Sequence, residues 1–160
     1  VYDGVPLDGV EIEIAPSREI LVRAPMVMRG YRDGTTAVDD DGWLHTGDLG
    51  RRLSDGRLHV DGRAGDLIIT GGENVWPEAV EAALLTHPAV AEAAVAGRDD
   101  PEWGQRVVAV VVGNVREAEL RDWVSLEHPR SWAPREFRWV GSLPLLPNGK
   151  VDRQAVRASL

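Results

Sequence analysis

GRAGDLIITGGENVWPEAVEAALL, Gly62 to Leu85, is where the pattern of this chain changes. Upstream, from Val10 to Val60, short β-prone runs alternate with turn residues: VEIEI, EILVR, the stretch around WLHTGDLG, RRL and RLHV. Runs of this length bounded by Gly and Asp describe a small twisted sheet or barrel. DDDG at Asp39 to Gly42 and SDG at Ser54 to Gly56 supply the turns, and the first is expected as an exposed, mobile loop. DGRAGD, Asp61 to Asp66, then breaks the β pattern with two glycines before a new apolar run, so a domain boundary and a hinge are placed there. Beyond it Pro77 sits at a first helical position, with Glu78 and Glu81 in the opening turn where the helix dipole favours them. Trp76 is a poor cap. Trp76, Val80, Ala83 and Leu84 fall at i, i+4, i+7 and i+8, which predicts a helix from about Pro77 to Leu85 with one apolar face.

The remainder extends that second pattern. AVAEAAVAG and RVVAVVVG read as strands, Glu117 to Leu126 as a helix and REFRWV as a short strand; Asp152 can cap a short final helix. The expected fold class is therefore α+β: a small β-rich, partial-barrel subdomain over 1–62, a hinge over 63–66, and a compact α+β lid domain over 67–160.

Bulk properties narrow the function. Eighteen basic against 26 acidic residues give a net charge of -8, which argues against capture of nucleic acid or an anionic membrane by a broad field; any anionic ligand must be held by local groups. With no cysteine there is no disulfide, thiolate metal site or cysteine nucleophile, and a cytoplasmic protein fits best. No stretch approaches the ~20 apolar residues of a membrane span, and VYDGVPLDGV lacks the basic start and apolar run of a signal peptide. The abrupt start without an initiator Met suggests truncation.

Three stretches can carry chemistry, and each has a plain structural alternative. PLLPNGKVDR, Pro144 to Arg153, presents Lys150 after a turn made by Asn148 and Gly149; the plain alternative is a solvated surface lysine. In GWLHTGDLG, Gly42 to Gly50, residues Thr46, Gly47 and Asp48 are expected to form a tight polar turn that Asp48 closes, but an aspartate so placed can also accept hydrogen bonds from the two hydroxyls of a ribose. GRAGDLIITGGEN puts glycines on both sides of a short apolar strand: a hairpin at Gly71 and Gly72, or a backbone surface along which a thin ligand chain passes.

Taken in order and spacing, these stretches resemble the adenylate-forming superfamily of acyl-CoA synthetases, luciferases and peptide-synthetase adenylation domains. The resemblance extends through EILVRAPMVMRGYRDG and HPAVAEAAVAGRDDPEWGQRVVAVVV. It implies activation of a carboxylate with ATP to an acyl-adenylate and pyrophosphate, followed in the CoA branch by thiol displacement of AMP. It implies that residues 1–62 are the last subdomain of a large N-terminal region. By position Asp48 resembles the aspartate that holds both ribose hydroxyls, Arg63 the arginine that assists it, and Lys150 the lysine that bridges reacting carboxylate and phosphate oxygens. Gly65 occupies the hinge, where relatives often carry Asp or Lys. Gly71, Gly72 and Glu73 would border the pantetheine tunnel, and Trp103 in DPEWGQ lies where some relatives place an aromatic near the CoA nucleotide, packing being the plain alternative.

The family's phosphate loop and its aromatic-Gly-x-Thr-Glu stretch are not found in these 160 residues. The resemblance thus assigns the acyl pocket, most ATP contacts and Mg2+ to a missing N-terminal region, and no metal site to this chain. It predicts that the chain alone is inactive, and it leaves any homo-oligomer to that same region. Its partners are small molecules: a carboxylic acid, ATP and CoA. GGENVWPE is nearer to CoA ligases than to amino-acid adenylation domains. The compact loops are most like short bacterial o-succinylbenzoate-CoA ligases of menaquinone synthesis. Medium-chain or aryl acyl-CoA ligases are the alternative, and a non-catalytic module binding CoA or a partner is the alternative of a different class.

Overall fold

Alternation in EIEI puts Ile12 on the buried side of the first strand, β1 (Glu11–Ile14), while its glutamates face outward. β2 (Glu19–Arg23), β3 (Leu44–Arg52) and β4 (Leu58–Arg63) follow, and the four pair antiparallel in sequence order, with Ile12 opposite Val22 and Asp48 opposite Arg63. The sheet is an open meander with β1 and β4 at its edges. All but the first residue of WLHTGDLG and the last of RRL, separate runs in the sequence reading, fall in the single long strand β3. The DDDG turn is exposed but well tied: one Asp39 carboxylate oxygen accepts the N–H groups of Asp41 and Trp43 at 3.1 and 2.8 Å. The computed structural model describes residues 3–160, and the chain divides into two compact units, one ending at Gly65 and the next beginning at Asp66.

In the second unit β5 (Ile68–Thr70) and β6 (Glu73–Val75) form a hairpin, followed by α1 (Pro77–Leu85), β7 (Val90–Asp100), β8 (Gly104–Gly113), α2 (Glu117–Val124), β9 (Glu136–Trp139) and α3 (Arg153–Ala158). The strand order is β6-β5-β8-β7, and β9 also pairs with β8, in parallel. A parallel neighbour needs a crossover connection, and α2 lies in it. α1 has the bounds expected from the sequence; Pro77 stands at its start and Trp76 makes no side-chain cap. α2 ends two residues earlier than expected. Ser125 donates its hydroxyl to the Arg121 carbonyl at 2.8 Å, and Leu126, with 76% of its surface exposed, offers no burial that would prolong the helix.

The run RVVAVVV is continuous rather than alternating because β8 is covered on both faces. Val107, Ala109 and Val111 belong to the main core with Val80 and Leu84 of α1 and Leu120 and Val124 of α2. Val110 joins Ala94, Ala96, Leu143 and Val156 in a second cluster against α3. Each fully buried Leu or Val contributes about 1.5–3 kcal/mol relative to exposure, so these two layers dominate the unit's stability. No helix among the described residues is long and apolar enough to cross a membrane.

Candidate functional site

Asp48 owes its position to a bulge. Thr46, Gly47 and Asp48 lie inside β3, where Glu19 of β2 is opposite Leu49 and Leu21 opposite His45, so two extra residues are accommodated here. The tight turn expected from the sequence is therefore a distortion of a paired strand. The Thr46 hydroxyl donates to the Ile20 carbonyl at 2.7 Å and accepts the Asp48 N–H at 3.0 Å. Gly47, at φ +72°, donates its N–H to a Glu19 carboxylate oxygen at 3.0 Å. Asp48, half-buried, faces Arg63 across the strand pair: Nε is 3.1 Å from Oδ1, and Nη1 donates to the Thr46 carbonyl at 2.7 Å. The guanidinium thus steadies both the carboxylate and the bulge that presents it. Sequence reasoning brought Asp48 and Arg63 together but missed Glu19 and His45 beneath them. His45 Nδ1 is 3.0 Å from Glu19 and Nε2 is 3.4 Å from Asp39. The Glu19 hydrogen bond raises the His45 pKa, and the same bond holds the Glu19 carboxyl below its usual range.

Gly71 and Gly72 form a two-residue hairpin between β5 and β6, both in the left-handed region at φ +58° and +82°. That pair of signs is the hairpin turn whose twist matches its strands. A Cβ on Gly71 would lie 2.7 Å from Cε3 of Trp103, so glycine is required there for contact as well as conformation, whereas a Cβ on Gly72 would meet nothing. The Gly71 N–H also donates to the Trp103 carbonyl at 2.9 Å. Trp103 is half-buried and carries the Arg135 guanidinium 4.0 Å above its ring; Arg135 was not singled out from the sequence. The turn bearing Trp103 is fixed by Asp100, which accepts the Glu102 and Trp103 N–H groups at 2.9 and 3.0 Å and pairs with Arg106. Burial opposes the charge of Asp100, but these hydrogen bonds outweigh it and hold its carboxyl below the usual range. Glu73 is exposed beside the turn.

Lys150 sits on a third device, a small hairpin closed by a bridge between Leu145 and Val151. Gly149 at φ +81° makes the turn, the Leu146 N–H donates to the Lys150 carbonyl at 2.8 Å, and Asn148 accepts the Lys150 N–H at 3.1 Å. The residues from Leu145 to Lys150 are all exposed, and among the described residues the Lys150 ammonium makes no ion pair. Gly65 lies in a single 3-10 turn, Ala64–Asp66, outside the left-handed region, and a Cβ there would meet nothing within 4 Å. The static structure therefore does not require glycine at this position. Among the described residues no group of three or more His, Cys, Asp or Glu is placed to hold a metal ion.

Residues 79–150 match the AMP-binding enzyme C-terminal domain. A sulfoacetate–CoA ligase from Cupriavidus necator is 45% identical over 143 residues, 84% of this chain and 28% of that protein. A 2-succinylbenzoate–CoA ligase from Bacillus cereus is 41% identical over 155 residues, 94% of this chain and 32% of that protein. The solved o-succinylbenzoate CoA synthetase from Bacillus subtilis, in complex with the acyl-adenylate intermediate, superimposes with a TM-score of 0.87 at 38% identity, covering 95% of this chain and 34% of that one. The chain thus spans about a third of the length of the curated relatives it matches. Similarity that runs through both units places the chain in the adenylate-forming family of AMP-binding enzymes, whose C-terminal domain it carries.

Proposed function

We propose that this chain supplies the ribose-binding carboxylate, the hinge and the mobile lysine of an AMP-forming acid–thiol ligase that converts a carboxylic acid, ATP and CoA to acyl-CoA, AMP and pyrophosphate. The observation that carries this is Lys150, a lone ammonium on an exposed hairpin that bears no counter-charge among the described residues. During adenylation negative charge is shared between the attacking carboxylate and the phosphate, and an ammonium delivered there stabilises it in a site that excludes water. Asp48, held by Arg63, would accept hydrogen bonds from the ribose hydroxyls. Rotation at Gly65 would withdraw Lys150 after the first half-reaction and bring the Gly71–Gly72 turn, Glu73 and Trp103 to the CoA path. Mg2+, needed by the phosphates, would be held outside the described residues.

The acid we favour is o-succinylbenzoate, which would place the enzyme in cytoplasmic menaquinone synthesis; similarity to the Bacillus enzymes over nearly the whole chain supports this. A second acid is favoured by the sulfoacetate–CoA ligase at 45% identity, since acyl-selective residues would lie outside the chain. The test is CoA-dependent AMP release by the full-length protein with o-succinylbenzoate, sulfoacetate, medium-chain fatty acids and benzoates. Turnover with o-succinylbenzoate is expected to exceed the others; turnover only with another acid rejects the substrate, and none with any acid rejects the ligase.

A further inference from the structure

Asp66, the first residue of the second unit, is gripped by two guanidiniums that both come from α3. Arg157 Nη2 lies 2.6 Å from Asp66 Oδ1 and Arg153 Nε 3.7 Å from Oδ2. Arg153 turns its remaining nitrogens on α1, reaching both Glu81 carboxylate oxygens at 2.9 Å and Glu78 Oε1 at 3.3 Å. Glu81 also accepts the Val95 N–H of β7 at 2.8 Å. The side chains of Asp66 and Glu81 are only 16% and 14% exposed, so these pairs are sheltered rather than loose surface contacts. Three carboxylates share two guanidiniums, and Glu78 Oε2 is buried without a hydrogen-bond partner. Arg153 is therefore the hub that holds an excess of negative charge together.

The N-terminal end of α3, which carries Arg153, is also joined to the lysine hairpin. The Asp152 N–H donates to the Pro144 carbonyl at 2.8 Å, closing the hairpin base, while its carboxylate caps α3 by accepting the Ala155 N–H at 3.0 Å. Leu143, before the hairpin, and Val156, in α3, share one apolar cluster. A contiguous set of contacts thus runs from Asp66 through Arg157 and Arg153 to α3, Asp152 and Lys150.

We propose that Asp66, Arg153 and Arg157 form a strut that ties the Lys150 hairpin to the backbone immediately after Gly65, so that rotation there reaches the ammonium without slack. Asp66 and Arg157 are positioning residues, and this deepens the function proposed above because it rests on the role given there to Lys150. Coupling of this kind needs a connected network with defined geometry, and a misplacement of about 1 Å in a reacting group costs roughly a hundredfold in rate.

In the full-length enzyme the two half-reactions can be measured apart: acid-dependent ATP–pyrophosphate exchange, and CoA-dependent AMP release from preformed acyl-adenylate. Asp66→Asn and Arg157→Gln are expected to lower kcat for adenylation roughly tenfold to a hundredfold while leaving the KM for ATP within roughly twofold. The thioester step is spared, and Arg157→Lys, which keeps the charge, recovers most of the adenylation rate. Equal losses in both half-reactions, or unchanged adenylation, would overturn the strut. Lys150→Ala is the reference: if it cripples adenylation while the strut variants leave the rate unchanged, the strut alone fails; if it adenylates normally, the lysine's role fails and the strut with it. Should Asp66→Asn not fold, Arg157→Gln, altered at a side chain 42% exposed, carries the same comparison.

Discussion

Gly71→Ala should cost far more than Gly72→Ala, although the two glycines are adjacent and both left-handed. The shared component is backbone strain, about 1–2 kcal/mol for an L-residue held in that region. Only at position 71 does the new methyl also meet a side chain, Cε3 of Trp103 at 2.7 Å and Cζ3 at 3.0 Å. The ring is not free to withdraw at no cost, because Arg135 stacks on it and Asp100 pins its backbone N–H. Relieving such an overlap typically adds about 1–3 kcal/mol, giving about 2–5 kcal/mol at Gly71 against about 1–2 at Gly72. Urea unfolding followed by tryptophan fluorescence in a Trp43→Phe background, so that the signal comes from the second unit, measures both. Trp103→Ala removes the obstacle, so the double variant Gly71→Ala/Trp103→Ala should show a favourable coupling comparable to the overlap cost. Equal destabilisation at 71 and 72, or no coupling with Trp103, refutes the contact as the reason for glycine.

Other outcomes follow from the proposed site. In the full-length enzyme Lys150→Ala should slow adenylation by roughly a hundredfold to a thousandfold yet largely spare transfer from preformed acyl-adenylate to CoA; pyrophosphate exchange and thioester assays separate the two. Asp48→Ala should lower kcat/KM for ATP roughly tenfold to a hundredfold, as loss of a charged hydrogen-bond acceptor does, and an unchanged ATP dependence would contradict ribose binding. His45, whose pKa is raised by Glu19, contributes stability that is fully present below its unfolded value near 6.5 and is lost as pH rises through its higher folded value. Unfolding midpoints of the chain should therefore fall across that window, and His45→Asn should flatten the fall; an unaltered profile would remove His45 as its source.

The sequence made some parts of this structure legible because their causes are local. Pro77 and the spacing of Val80, Ala83 and Leu84 define α1 without outside help, and Asp152 caps α3 from within one turn. RVVAVVVG is recognisable as a strand, but its continuous apolar character is explained only by helices on both faces. Features that depend on distant partners were hidden. The bulge at Gly47 is held by Glu19, 28 residues away, and nothing in the local chemistry of HTGD distinguishes it from the turn expected there. Arg135 reaches Trp103 only through the parallel placement of β9, and Asp66 meets Arg157 across 91 residues. The one signal for the last pair was the spacing of Arg153 and Arg157, four apart on one helical face with no acidic residue between them.

Both apolar clusters are made wholly of residues after Asp66, while among the described residues the first unit buries only Ile12, Ile20 and Leu21 as its own apolar contribution. Side chains packed in one such cluster are expected to be correlated in their substitutions, because effects at sites with common partners do not simply add. Drift at Leu120 or Val124 is thus best compensated among neighbours of the same cluster, Val80 and Leu84 of α1 first among them.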